Sequence, residues 1–140
     1  MFPFNMQLAL MTSLGSMTAP FTQTSSSNTR PPQLAEQHCV PLQGMPSMSE
    51  QEIYDMLIQF PDLDGWTWQN HALEKSIDFG DFHETMAFIN ALAWVCHRED
   101  HHPMLTVTFK RCVVRFETHS VGGVSMNDFI CAAKVNALLT

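Results

Sequence analysis

Hydrophobic residues recur at two different spacings along this chain, and the change of spacing separates predicted helices from predicted strands. In three stretches the apolar positions lie three or four residues apart, which is typical of an amphipathic helix. The first begins after Ser49 and ends before Pro61, the second follows Asp81, and the third follows Ser125. Ser49 and Ser125 each have an acidic residue three positions later, so each predicts a capping box. The apolar positions are Ile53, Met56, Leu57 and Phe60, then Phe82, Met86, Ile89, Ala93 and Cys96, then Phe129, Ile130, Ala133, Val135 and Leu138.

Four shorter stretches alternate between apolar and polar residues, which predicts strands with one buried face. They are residues 66–70 (WTWQN), 72–79 (ALEKSIDF), 104–109 (MLTVTF) and 112–120 (CVVRFETHS). Because the links within each pair are short, we expect two antiparallel hairpins. The order α-β-β-α-β-β-α then predicts an α+β fold, a single four-stranded antiparallel sheet with three helices on one face. The other face of such a sheet is either solvated or covered by a partner subunit.

The N-terminal third of the chain has a different composition. Up to Met48 the only acid is Glu36 and the only base is Arg30, and residues 12–30 are more than half Ser and Thr. Such a segment buries too little apolar surface to offset its ordering entropy, which predicts disorder. Because it is rich in hydroxyls and poor in acids, it also fits an organelle transit peptide, although one arginine is few for that. We therefore expect residues 1–45 to be a disordered tail or targeting segment.

The remaining residues, 46–140, are predicted to form one folded domain. With 45% hydrophobic residues the chain of 140 residues can build a core, and its formal charge of −7 argues against direct binding of nucleic acid or anionic membranes. No apolar run approaches the roughly 20 residues that span a bilayer. The four cysteines form no CxxC pair and are expected to be free thiols. We expect a cytoplasmic protein, or a mitochondrial or plastid one if the tail is a transit peptide.

The candidate chemistry lies where the second helix meets the third strand, at residues 96–109 (CHREDHHPMLTVTF). Three of the seven histidines, His97, His101 and His102, fall here, directly before Pro103. The proline favours an extended backbone at His102 and so presets the directions of the side chains. An imidazole titrates near neutral pH and can both give and take a proton. This cluster therefore indicates an acid–base site.

A fourth histidine is predicted to join this site. In an antiparallel hairpin from Met104 to Ser120, the end of the fourth strand returns beside the start of the third, which brings His119 near His101 and His102. The simpler alternative is that His119 merely ends a strand. His97 and His101 share a helix face, but no third ligand completes a metal set, so we expect no metal. Histidines acting as general acid and base, without a metal or covalent intermediate, suit a dehydration, isomerisation or hydrolysis of a small polar substrate.

These residues resemble the motif of the pterin-4a-carbinolamine dehydratase family. The family pattern has an acidic residue or histidine, three further residues, His-His-Pro, an aromatic residue, a later histidine and an aspartate. The matching residues here are His97, His101-His102-Pro103, Phe109, His119 and Asp128. The sequences GW at Gly65-Trp66, DFHETMAFINALA at 81–93 and CVPLQG at 39–44 are also similar, and the likeness spans about 39–140. The family often has Glu at the position of His97, and capping alone would explain Asp128.

The resemblance implies that residues 46–140 are a pterin-carbinolamine dehydratase domain. This domain would remove water from 4a-hydroxytetrahydrobiopterin to give quinonoid dihydrobiopterin, a hydro-lyase step of tetrahydrobiopterin recycling, without a cofactor. It implies His101 and His119 as candidates for the general acid and His102 for pterin binding and proton shuttling. Asp100 is expected to orient an imidazole, and Trp66 either to stack on the substrate or to pack in the core. The expected substrate-binding residues are Asp100, His101, His102, Pro103, Thr118, His119, Ser120 and Val121.

The resemblance also implies a homo-oligomer, either a dimer or a tetramer, and the final helix agrees because it is apolar on more than one side. Two other functions stay open from the sequence. One is a dimerisation cofactor or coactivator, a binding module for a homeodomain transcription factor, as in animal members of this family. The other is a pterin-linked scaffold without turnover. Dehydration of a 4a-hydroxypterin by the pure protein distinguishes the enzyme from both.

Overall fold

Three helices and four strands follow one another in the predicted order. The structure is a computed structural model and describes residues 33–140. The elements are α1 (Glu50–Gln59), β1 (Thr67–Gln69), β2 (Ala72–Asp78), α2 (Phe82–Glu99), β3 (Met104–Val107), β4 (Arg111–Phe116) and α3 (Met126–Ala137). Short 3₁₀ turns at Leu34–Glu36, Pro61–Leu63 and His119–Val121 connect them. Within residues 33–140, no helix combines the length and apolar content needed to cross a bilayer.

The strands form one antiparallel sheet in the order β1-β2-β4-β3. Leu73 of β2 pairs with Phe116 of β4, and Val114 of β4 pairs with Leu105 of β3. These residues join the helices in one hydrophobic core, whereas their neighbours Glu74 and Arg115 lie on the other face. The predicted fold class is confirmed, because the period of two along each strand sends alternate side chains to opposite faces.

Local signals fix the ends of several elements. Ser49 and Ser125 begin α1 and α3 with the predicted capping boxes. The turn between β1 and β2 is one that the sequence did not reveal. Asn70 and His71 both have positive φ, 49° and 65°, as a two-residue hairpin turn of the primed type requires. Asparagine tolerates this conformation, but histidine there is not a turn signal.

The buried face of α2 differs from the prediction. Phe82 and Ala93 were expected in the core, but both are exposed. The ring of Phe82 instead stacks on that of Phe109, with 6.0 Å between centroids. The helix α2 is apolar on more than one side, so the spacing of its apolar residues is compatible with two different buried faces. Packing against the sheet and α3 determines which of the two faces is buried. The residues of α2 that are buried are Thr85, Phe88, Leu92, Cys96 and Glu99.

Part of the segment predicted to be a disordered tail or targeting segment, residues 1–45, contacts the domain. Leu34 is only 1% exposed in the core, and Ala35 and Cys39 pack against it. Lys134 of α3 donates a hydrogen bond of 2.9 Å to a backbone carbonyl of this segment. Composition did not reveal this packing, because contacts to α3 and not local periodicity order the segment. Residues 1–32 lie outside the described part of the chain, and the tail predicted there stays a prediction.

Candidate active site

The end of α2 places His101 against the start of α3. Asp100 ends the helix in the left-handed conformation (φ 50°), and the backbone N–H of His101 still donates to Cys96 O at 3.3 Å. The imidazole then lies parallel to the ring of Phe116, with centroids 5.7 Å apart and an interplanar angle of 10°. Its Nε2 is 2.6 Å from Oδ1 of Asp128. His101 is therefore fixed both by a ring contact and by a short hydrogen bond.

Asp128 is fully buried and divides its two carboxylate oxygens between two tasks. Oδ2 accepts hydrogen bonds from the backbone N–H of Ser125 at 2.8 Å and from the hydroxyl of Thr118 at 2.7 Å. The Thr118 and Ser125 hydroxyls are themselves 2.6 Å apart. Oδ1 is left for His101. A buried carboxylate needs such compensation, and here the helix cap, the end of β4 and the imidazole supply it.

The electrostatics of this pair favour a protonated imidazole. Burial alone lowers the pKa of His101, but the hydrogen bond and the negative charge of Asp128 outweigh it, so the pKa lies above its ordinary value. Since Nε2 points at Asp128, Nδ1 is the nitrogen available to another partner. The pair therefore favours a proton on His101, with Nδ1 left for an interaction with another group.

A cavity of about 290 Å³ lies beside this pair. Four predicted residues line it, namely Asp100, His101, Thr118 and Ser120. Six residues that were not predicted as site residues also line it, namely Cys39, Val40, Pro41, Leu42, Glu99 and Asn127. The cavity therefore has one wall from the predicted site and a second from the N-terminal segment.

The other predicted site residues lie outside the lining. His102 is exposed, and Pro103 is half-buried directly before β3. His119 is exposed and opens the 3₁₀ turn that contains Val121. The hairpin does return as predicted, since Arg115 pairs with Met104, and the Thr118 beside His119 bonds to Asp128.

The structure shows the surroundings of three residues to which the sequence assigned a role. Asp100 was expected to orient an imidazole, but it is exposed and Asp128 makes that hydrogen bond. Capping therefore does not account for all of Asp128, which also binds His101. Trp66 is a core residue, 5% exposed, whose Nε1 donates to Asn136 at 3.1 Å, so it packs and does not line the cavity. The family motif, in which an aspartate follows the later histidine, was the available signal for Asp128, but only the fold brings it to His101.

The described residues show no group of three or more His, Cys, Asp or Glu side chains arranged to hold a metal ion. His97, the first histidine of the cluster, is exposed and lies beside the ring of Trp94, with centroids 5.7 Å apart. It does not line the cavity beside His101.

This chain is similar to known proteins in both sequence and structure. The model of the pterin 4 alpha carbinolamine dehydratase family matches residues 46–138. A Nitrosospira multiformis protein named "Putative pterin-4-alpha-carbinolamine dehydratase" is 47% identical over 106 residues, which are 75% of this chain and 91% of that protein. A Stenotrophomonas maltophilia protein of the same name is 51% identical over 108 residues, or 75% of this chain and 90% of that protein. A Brucella melitensis crystal structure, described as a transcriptional coactivator/pterin dehydratase, matches with TM-score 0.63 and 31% identity over 67% of this chain and 99% of that one.

Proposed function

Since this chain belongs to the pterin 4 alpha carbinolamine dehydratase family, we propose that it dehydrates 4a-hydroxytetrahydrobiopterin to quinonoid dihydrobiopterin and so serves tetrahydrobiopterin recycling. The observation that carries the proposal is the 2.6 Å contact between His101 and buried Asp128 at the edge of a cavity. This contact supports a proton donor held at a fixed place beside room for a small molecule. Proton transfer of this kind needs no resident cofactor.

The proposed reaction breaks one C–O bond and moves two protons. Protonated His101 gives its Nδ1 proton to the leaving 4a-hydroxyl, which departs as water together with the C–O bonding electrons. The N5 proton of the pterin then leaves to a neutral imidazole, for which we propose His102, and the electrons of the N–H bond form the N5=C4a double bond. Asp128 stabilises the imidazolium before transfer and keeps its ring in place, as a third group does for a catalytic base. The ring returns to its starting state by taking up one proton.

The remaining predicted residues have proposed binding roles. Thr118, Ser120 and Val121 would offer backbone groups to the polar edge of the flat pterin, and Asp100 and Pro103 would border it. Thr118 and Ser120 support this because they line the cavity with His101. His119 is proposed as a second general acid, placed beside Thr118 by the turn at the end of β4.

A stopped-flow dehydration assay tests the proposal with wild-type protein and alanine variants of His101, His102 and His119. General acid–base groups contribute about 10²–10⁴ in rate, so we expect losses in that range, largest for His102. The single changes at His101 and His119 should cost less than the double change, and a chelator should have no effect. His83→Ala is a matched control, because His83 is exposed near the other end of α2. A wild-type protein without turnover, or a double variant with normal turnover, would overturn the proposal.

A coactivator or dimerisation module is the second candidate function. Trp94 on α2 is 63% exposed, and an exposed tryptophan is typical of surfaces that bind proteins. The Brucella relative is described with both a coactivator and a dehydratase function.

We also propose a homo-oligomer, dimer or tetramer. Light scattering that finds only a 15.9 kDa particle would contradict this proposal. A pure protein that dehydrates the pterin supports the enzyme, and one that does not favours the binding module or the pterin-linked scaffold.

A further inference from the structure

A short segment ahead of the matched domain forms part of the candidate site. Residues 39–42 line the same cavity as His101, yet the family model matches only from residue 46. We call residues 39–42 the N-terminal wall. Its side chains beyond Cys39 are the apolar Val40, Pro41 and Leu42, and the same cavity is lined by the polar Glu99, His101 and Thr118.

Asn127 holds the N-terminal wall at its middle. The side-chain amide of Asn127 donates to Val40 O at 2.8 Å, and its Oδ1 accepts from Val40 N–H at 3.1 Å. The N–H and C=O of Val40 are thus both hydrogen-bonded to the buried side chain of Asn127, as they would be to a neighbouring β-strand. Asn127 directly precedes Asp128, so the first turn of α3 fixes both the wall and His101.

Glu99 holds the N-terminal wall at its start. Its side chain is 4% exposed and accepts from Cys39 N–H at 2.9 Å and from Lys134 Nζ at 3.2 Å. His38 Nδ1 is 3.1 Å from the same carboxylate. Burial raises the pKa of Glu99, but these hydrogen bonds together lower it below its usual value, so the carboxylate is ionised and bound. Glu99 lies two residues before His101, so the end of α2 both binds the N-terminal wall and positions His101 on the opposite side of the cavity.

We propose that the N-terminal wall is part of the pterin pocket, and that Asn127 is the positioning residue that keeps it closed on the substrate's ring. This inference rests on the proposed function, because it assigns the pterin to the cavity beside His101. Apolar side chains on one side and polar groups on the other suit a flat heterocycle, whose faces are apolar and whose edge forms hydrogen bonds. The wall contacts ring atoms that do not react, so it binds ground state and transition state equally. Its loss should therefore raise KM and leave kcat little changed.

The test compares Asn127→Ala with Asn136→Ala in the full chain. Asn136 is also on α3, and its amide donates to two backbone carbonyls, those of Asp62 and Asp64, at 2.7 and 2.9 Å. It also accepts hydrogen bonds from Trp66 Nε1 and Lys75 Nζ, and it lies away from the cavity, so its loss removes at least as many contacts of α3 without touching the N-terminal wall. For Asn127→Ala we expect the KM for 4a-hydroxytetrahydrobiopterin to rise about tenfold. We expect a rise of about the same size in the Kd for dihydrobiopterin, which serves as a non-reacting probe. The kcat should stay within about twofold of the wild-type value. Asn136→Ala should leave KM, Kd and kcat as in wild type.

Leu42→Ala provides a second variant in case Asn127→Ala does not fold. Leu42 is half-buried and outside the core, so its truncation thins the N-terminal wall while the hydrogen bonds at Val40 remain. We expect a rise in Kd for dihydrobiopterin of a few fold and an unchanged kcat. Normal KM and Kd in both variants, with an active wild type, would overturn this inference alone. A wild type that binds dihydrobiopterin without turnover would overturn the proposed reaction alone, and one that neither binds nor reacts would overturn both.

Discussion

The two capping boxes of this protein share a motif but differ in what surrounds them. At Ser49, the backbone N–H donates to Glu52 at 2.8 Å, and at Ser125 the N–H donates to Asp128 at 2.8 Å. Glu52 is exposed, and its Oε2 accepts both described bonds, those from the backbone and the hydroxyl of Ser49. Asp128 is fully buried, and its second oxygen binds His101. One box begins a helix in water, and the other begins a helix beside the candidate site.

The difference shows how a local motif acquires a chemical role. An exposed N-cap contributes roughly 1 kcal/mol to stability. Burial makes the Asp128 carboxylate depend on every partner it has, because an ionised group without compensation is costly away from water. The same burial strengthens its effect on the neighbouring imidazole, whose pKa it raises.

The largest difference is expected in activity, from Asp128→Asn and its counterpart Glu52→Gln. Without the negative charge, burial dominates and the pKa of His101 falls, so less of the imidazole is protonated at neutral pH. We expect kcat/KM to drop about 10²-fold or more, and the high-pH decline of the rate profile to move to lower pH. Glu52→Gln should keep wild-type values. Stopped-flow rates across pH measure both, and an unshifted profile in Asp128→Asn would contradict the role of Asp128.

The next difference is expected in stability, from Ser125→Ala and Ser49→Ala. Loss of the exposed Ser49 cap should cost about 0.5–1 kcal/mol of unfolding free energy. Loss of Ser125 also leaves the buried Thr118 hydroxyl with one partner fewer, so the cost should approach about 2 kcal/mol. Urea unfolding with a common m-value measures both. Equal losses would mean that burial adds nothing to the second cap.

A smaller difference is expected in how stability depends on pH at the buried box. The pKa of His101 is raised in the folded state, so its contribution is fully present below the unfolded pKa of about 6.5. That contribution is lost as pH rises through the raised folded pKa. His101→Gln should abolish this part of the decline, which thermal unfolding from pH 5 to 9 would detect. A variant with the same pH dependence as wild type would show that His101 is not the titrating group.

The smallest difference is expected at the exposed box, in the opposite pH direction. The backbone and hydroxyl of Ser49 hold the pKa of Glu52 below its ordinary value. Its contribution is therefore present above the unfolded pKa of about 4.3 and is lost as pH falls through the lower folded value. Glu52→Gln should remove this slight acid sensitivity in thermal unfolding below pH 5. If the acid sensitivity of unfolding is unchanged in Glu52→Gln, the charge of Glu52 does not contribute to the stability of the folded protein.

The order and type of the elements, both capping boxes and the histidine cluster could be predicted from the sequence, because each depends on residues a few positions apart. Helical spacing, alternation and a serine followed by an acid after three positions are local signals. The match of His101-His102-Pro103 and His119 to a family motif likewise needs only the spacing of residue types. These features therefore gave the fold class and the candidate chemistry without any contact being known.

Only the tertiary structure decided which residues complete the site. His101 and Asp128 are 27 positions apart, and Val40 and Asn127 are 87 apart. No local period connects such residues, so neither the capping pattern at Asp128 nor the composition of the N-terminal segment showed which residues they contact. The same holds for α2, where two apolar stripes were possible and the sheet and α3 buried the one that contains Phe88 and Leu92. Local sequence sets what each element can form, whereas burial and contacts between distant residues set what each side chain does.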